Sequence, residues 1–128
     1  MENYNFERYV NIGSRLGNYK ISINRTGMFG VLSGFYTKEG IKGFKKAILF
    51  FDSSAKAIGM SFTNDENAEG AFSITHNGAG NNSASIAAHS FFMKHNLKNE
   101  QFFGRRIPRK IKDSKFGSLF VVDLIENK

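Results

Sequence analysis

Residues 47–62 read AILFFDSSAKAIGMSF, two apolar runs on either side of Ser53, Ser54 and Ala55. Apolar side chains alternate in the second run, which places Ile58, Met60 and Phe62 on one face of a strand and Ala57, Gly59 and Ser61 on the other. Two half-buried strands joined by a short polar turn make an antiparallel hairpin. The hairpin sets the expectation for its neighbours.

Upstream, YKISIN puts Tyr19, Ile21 and Ile23 on one face. MFGVLS, after the Arg25-Thr26-Gly27 turn, continues as a second short strand. Gly34, Gly40 and Gly43 in SGFYTKEGIKG limit any helix there to a turn or two. Downstream, AFSIT (71–75) follows the polar loop TNDENAEG and adds Phe72 and Ile74 to the sheet. SIAAHSFFMKHNL reads as the one main helix, about 84–97, with Ser83 or Ser85 as N-cap and Lys94, His95 and Lys98 near its C-terminal end. FFGRRIPRKIK and SLFVVDLI then read as two further strands around the turn DSKFG. The expected fold is α+β: a mostly antiparallel, curved meander with one main helix followed by two strands.

At 128 residues the chain fits a single domain, 1–128, that removes roughly two-thirds of its unfolded surface from water. Its aromatic content, fourteen Phe and four Tyr, excludes low-hydrophobicity disorder. The net charge of +7 favours anionic partners, nucleic acid above all. With no Cys there are no disulfides, thiolate nucleophiles or Cys-based zinc sites. MENYNFERYVNIGSR is charged where a signal peptide needs an apolar run, and no stretch has the length of a membrane span, so the expectation is a cytoplasmic protein without membrane contact.

No enzyme motif stands out, and no cofactor is expected. HNGAGNNSAS places Gly78 and Gly80 between a strand and the main helix, but Ser83 stands where a dinucleotide fingerprint has its third Gly, and the Gly-Lys-Ser/Thr of a P-loop is absent. The backbone N–H groups of Ser83, Ala84 and Ser85 still offer a single phosphate site at the helix start. His89 and His95, six positions apart on a helix, diverge, and His76 lies outside it, so no metal site is expected. Asp65, Glu66 and Glu69 form a solvated acidic loop.

The charge concentrates in GRRIPRKIKDSK, residues 104–115. Read as one strand, it points Arg105, Ile107, Arg109 and Ile111 to one side and Arg106, Pro108, Lys110 and Lys112 to the other. Pro108 donates no ladder bond and marks an edge or bulge, where basic residues also block sheet-to-sheet aggregation. The functional reading makes Arg105, Arg106, Arg109, Lys110 and Lys112 phosphate ligands, with Lys20, Arg25, Lys45 and Lys46 as further cations and Phe102 or Phe103 as stacking rings, a combination suited to single strands. On the main helix, Ile86, Met93 and Leu97 form one stripe and Ala88, Phe91 and Phe92 another, so one face is free to pack in a homodimer or to close a larger one-chain core. A protein-interaction or inhibitor module using that face is the alternative.

Strands closing on a Gly/Asn turn, then Ser and an apolar helix (AFSIT…NNSASIAAHSFFMKH), resemble the single-stranded-DNA-binding coactivator fold of positive cofactor four and the Whirly proteins, over residues 19–97. That resemblance implies a dimer whose curved sheets bind single strands, with roles for Lys20, Arg25, Lys45, Lys46 and the aromatics of the sheet. YKISINRTGMFGVLSGFYTKEGIKGFKKAILFFD is similar to the swapped-hairpin transition-state regulators, which implies duplex DNA binding by a dimer, although their GRVVIP-like signature is missing. Both are fold-level analogies.

Overall fold

The computed structural model describes residues 3, 4, 6, 18–77 and 82–125. Among them the chain forms β1 (Ile21–Asn24), β2 (Met28–Val31), α1 (Ser33–Lys38), a 3-10 turn (Ile41–Gly43), β3 (Lys46–Asp52) and β4 (Ala57–Thr63). Next come β5 (Phe72–Asn77), β6 (Ser83–Ala87), α2 (His89–Lys94), a 3-10 turn (Glu100–Phe102), β7 (Gly104–Arg106), β8 (Arg109–Asp113) and β9 (Gly117–Asp123). The strands make one antiparallel sheet in the order β7-β1-β2-β6-β5-β3-β4-β9-β8. Its two edge strands, β7 and β8, are joined only by Ile107 and Pro108, which requires the sheet to curl until its edges meet at that point.

The central hairpin forms as the alternation predicts, with Asp52 opposite Ala57 and Leu49 opposite Met60. Asp52 Oδ1 accepts the Ser54 and Ala55 N–H groups at 3.0 Å, and Lys56 closes the turn at φ +54°. Ile58 and Met60 enter the core, and Phe62 packs against it. Ala57 and Gly59 do face away, but they are buried as well, beneath a smaller cluster of Leu119 and Val121 with Phe50 and Ile111.

The main helix is corrected. Ser83–Ala87 is strand β6, paired with β2 on one side (Ile86 opposite Phe29) and β5 on the other (Ile86 opposite Ile74). The small residues of SASIAA carry a period-two pattern, with Ala84, Ile86 and Ala88 buried, and pairing on both sides outweighs their mild helix preference. The helix is only His89–Lys94, ended by Asn96 at φ +54°. Three strands follow it, because FFGRRIPRKIK divides at Ile107-Pro108 into β7 and β8. The connections are hairpins linked across the sheet and not a simple meander. Ile86, Ala88, Phe91, Phe92 and Leu97 are all buried within the chain and only Met93 is exposed, so the apolar face expected to meet a second copy is filled from inside.

The element order β-β-α-3-10-β-β occurs twice, with the second copy's third strand split into β7 and β8. Exchanging β1 with β5, β2 with β6, β3 with β7/β8 and β4 with β9 leaves every pairing in place: β1–β7 becomes β5–β3, β3–β4 becomes β8–β9, and β2–β6 and β4–β9 map onto themselves. The details repeat too. Buried Phe35-Tyr36 on α1 match Phe91-Phe92 on α2, left-handed Gly40 before buried Ile41 matches left-handed Asn96 before buried Leu97, and Asp113 caps the β8–β9 turn as Asp52 caps β3–β4. The aromatic core unites both halves, with ring centroids 5.0 Å apart for Phe29–Phe92 and 4.9 Å for Phe35–Phe120.

Candidate nucleic-acid interface

Alternation along β1, β2 and β6 sends Ile21, Ile23, Phe29, Val31, Ala84 and Ile86 inward. The residues between them face outward, and the strand register lines them up across five strands: Arg105 lies opposite Ser22, Ser22 opposite Gly30, Gly30 opposite Ser85, and Ser85 opposite Thr75. From Ser22 to Thr75 this row is small and polar. Gly30 lies so close to Ser22 that a Cβ there would force the Ser22 hydroxyl to rotate away.

Two hollows open on this face, and Arg105 lines both. One, of about 430 Å³, also has Ser22, Asn24, Arg25, Leu32 and Phe103 on its walls; the other, of about 490 Å³, has Asn18, Ser33, Asn77, Asn82, Ser83 and Ser85. Arg25 and Arg105 are exposed, and among the described residues neither has an acidic or hydrogen-bonding partner. Phe103 is half-buried and packs against the core. Two free guanidinium groups above serine hydroxyls and amides provide charge for phosphates and neutral donors for sugars or base edges.

The rest of the basic stretch is dispersed. Arg106 is half-buried, its Nη2 donating to the Gln101 carbonyl at 2.9 Å and the Leu124 carbonyl at 3.4 Å, while its Nε is buried without a partner. Arg109 Nε and Nη2 each donate to the Asp123 carboxylate at 3.1 Å. Lys110 Nζ lies 5.8 Å from the centre of the Phe120 ring. Lys112 is exposed opposite Ser118. Phe102 is buried in the core and offers no ring face for stacking, which corrects its assignment. Lys45 sits 4.0 Å from Glu66 in an exposed pair, Lys46 faces Ser73 across β3 and β5, and half-buried Lys20 precedes β1. Ser22 and Gly30 were absent from the sequence-based site, and Ser85 entered it only through its backbone N–H, although small residues alternating with buried ones in ISIN and SASIA carry their signal.

Other candidates resolve into structural roles. Gly78 and Gly80 lie outside the described residues. Ser83, Ala84 and Ser85 belong to a strand, so no helix start presents their N–H groups to a phosphate. His76 Nδ1 is 2.9 Å from the Tyr36 hydroxyl and its Nε2 is 2.8 Å from the Phe44 carbonyl, tying α1 and the entry to β3 onto β5. His95 lies tilted against Phe51, ring centroids 4.6 Å apart, and burial followed by the Lys94 charge lowers its pKa. Burial and then the hydrogen bond to Glu39, 2.6 Å away, raise the pKa of Tyr19. Asp65 caps its own loop through the Asn67 N–H. Among the described residues no group of His, Asp or Glu could hold a metal ion, and no helix is long and apolar enough to cross a membrane.

A third hollow, of about 520 Å³, lies on the outer face of β3-β4-β9-β8. Its walls are Phe50, Ile111, Phe116, Leu119 and Val121, with the Arg109–Asp123 pair at its rim. It is the more apolar of the two faces.

No family model, curated protein or solved structure matches this chain. The functional reading therefore rests on the geometry.

Proposed function

We propose that the protein is a non-enzymatic, cytoplasmic nucleic-acid-binding domain that takes a single strand on the outer face of β7-β1-β2-β6-β5. One observation carries this reading: Arg25 and Arg105, both exposed and unpartnered, converge with Phe103 on one hollow floored by Ser22. Guanidinium groups neutralise phosphates, serine and asparagine groups bond to sugars and bases, and the accessible part of Phe103 contacts a base. The face is the convex side of a curled sheet, which a flexible strand follows more closely than a straight duplex.

Duplex DNA, which the swapped-hairpin resemblance implies, is the second reading, and the two-fold repetition of β-β-α-β-β units motivates it. The repetition also lets one chain supply both halves of an arrangement that a homodimer would otherwise provide.

The test is fluorescence anisotropy with labelled single-stranded DNA, duplex DNA and RNA of one length across a salt series. Tightest binding to a single strand, with log K falling linearly in log salt and a shallower slope for Arg105→Gln, supports the proposal. Tighter duplex binding selects the second reading. No binding at low salt overturns both and moves the site to the apolar hollow around Phe50 and Leu119, as expected of a protein-interaction module.

A further inference from the structure

The two-fold repetition gives the Arg105 site a counterpart. In one half, the 3-10 turn Glu100–Phe102 ends at Phe103 in an extended conformation, Gly104 and Arg105 follow, and Arg105 pairs with Ser22 on β1. In the other, the 3-10 turn Ile41–Gly43 ends at Phe44 in an extended conformation, Lys45 and Lys46 follow, and Lys46 pairs with Ser73 on β5. Phe44 and Phe103 are both half-buried against the core. In both halves a cationic side chain leaves the outer face two residues after the ring, beside a serine on the neighbouring strand. Lys46, like Arg105, has no acidic partner among the described residues, since Glu66 is engaged by Lys45.

We infer that Lys46 and Ser73, with Phe44, form a second phosphate-binding site, and that one strand of nucleic acid spans both sites. This rests on the nucleic-acid reading and adds the ligand's reach. From β7 to β3 the face crosses β1, β2, β6 and β5, five steps of about 4.8 Å, or about 24 Å along the curve. The small residues Ser22, Gly30, Ser85 and Thr75 form a continuous row across the strands between. The ligand is a flexible polyphosphate several nucleotides long. A mononucleotide or a single phosphate reaches one end only.

Anisotropy with oligothymidylates of about 4 and about 16 nucleotides, each across a salt series, tests this. With the longer strand, Lys46→Gln and Arg105→Gln each lower the slope of log K against log salt by about 0.7, and the double variant by about 1.4. With the shorter strand, which occupies one site at a time, the double variant loses only about 0.7. Lys46→Arg keeps the wild-type slope, and unchanged circular dichroism of Lys46→Gln excludes a folding defect. If Arg105→Gln lowers the slope with the longer strand and Lys46→Gln does not, the second site is refuted while the nucleic-acid reading stands. If neither variant changes it, both fail.

Discussion

Arg106 separates the structural account of the basic stretch from the charge-based one. By charge alone it is a phosphate ligand equal to Arg105; in the fold it is a clamp. Its guanidinium bridges the turn before β7 to the residue after β9, at the seam where the two edges of the sheet meet. Exchange of the two halves maps it onto Ala47, which is fully buried, so the stem of Arg106 occupies a core position and its head projects from one. Arg106→Met keeps most of the stem. It loses one good hydrogen bond at the exposed Gln101 carbonyl, about 1 kcal/mol, and a long one to Leu124 worth less, and it removes a buried unpaired Nε that costs about 1 kcal/mol or more. The net change is below about 1 kcal/mol. Arg106→Ala also strips two half-buried methylenes, about 1 kcal/mol more, for a total near 1.5 kcal/mol and a Tm lowered by about 6 °C.

Urea denaturation followed by circular dichroism at pH 7 measures both variants, and the anisotropy salt series measures their slope. The expected pattern is Ala more costly than Met, with neither changing the slope, while exposed Arg105→Gln does the reverse. Equal cost for Met and Ala, or a slope reduced as much as by Arg105→Gln, would refute the clamp and return Arg106 to the phosphate ligands.

Phe35→Ala empties a fully buried site flanked by Tyr19, Phe62 and Phe120 and costs about 4 kcal/mol, read as a shift in urea midpoint at constant m. Gly27→Ala forces a side chain into φ +83° with its Cβ 3.0 Å from the His89 backbone, so denaturation shows a loss of about 2 kcal/mol, where the same change at exposed Gly43 is mild. His95 has a native pKa below its ordinary value, so folding favours its neutral form; the stability this contributes is present above about pH 6.5 and is lost as the pH falls. The Tm declines on acidification below that point, and His95→Gln reduces the decline; an equal decline in the variant removes His95 as its source.

The strands were legible because large apolar side chains alternate with small or polar ones, as in ISIN and AIGMSF. SASIAA was misread because Ala and Ser fit either period, and the decision came from β2 and β5 closing on it from both sides, contacts no local window contains. The basic stretch was legible as charge and opaque as geometry. Arg109 is neutralised by Asp123 fourteen residues away, and two residues, Ile107 and Pro108, carry the chain from one edge of the sheet to the other.

The repetition was written in the sequence as well, in Phe35-Tyr36 before Gly40-Ile41 and Phe91-Phe92 before Asn96-Leu97, but as a pattern of roles and not of identities. In each half a left-handed residue and the buried side chain after it turn the chain from helix to strand. The halves diverge in their third strand. The second has Ile107-Pro108 inserted into its third strand, and it places an arginine where the first buries Ala47. Lys46 and Arg105 keep their charge at matched outward positions even though packing does not require it there. The proposed strand, touching both ends of the face, would account for that shared charge.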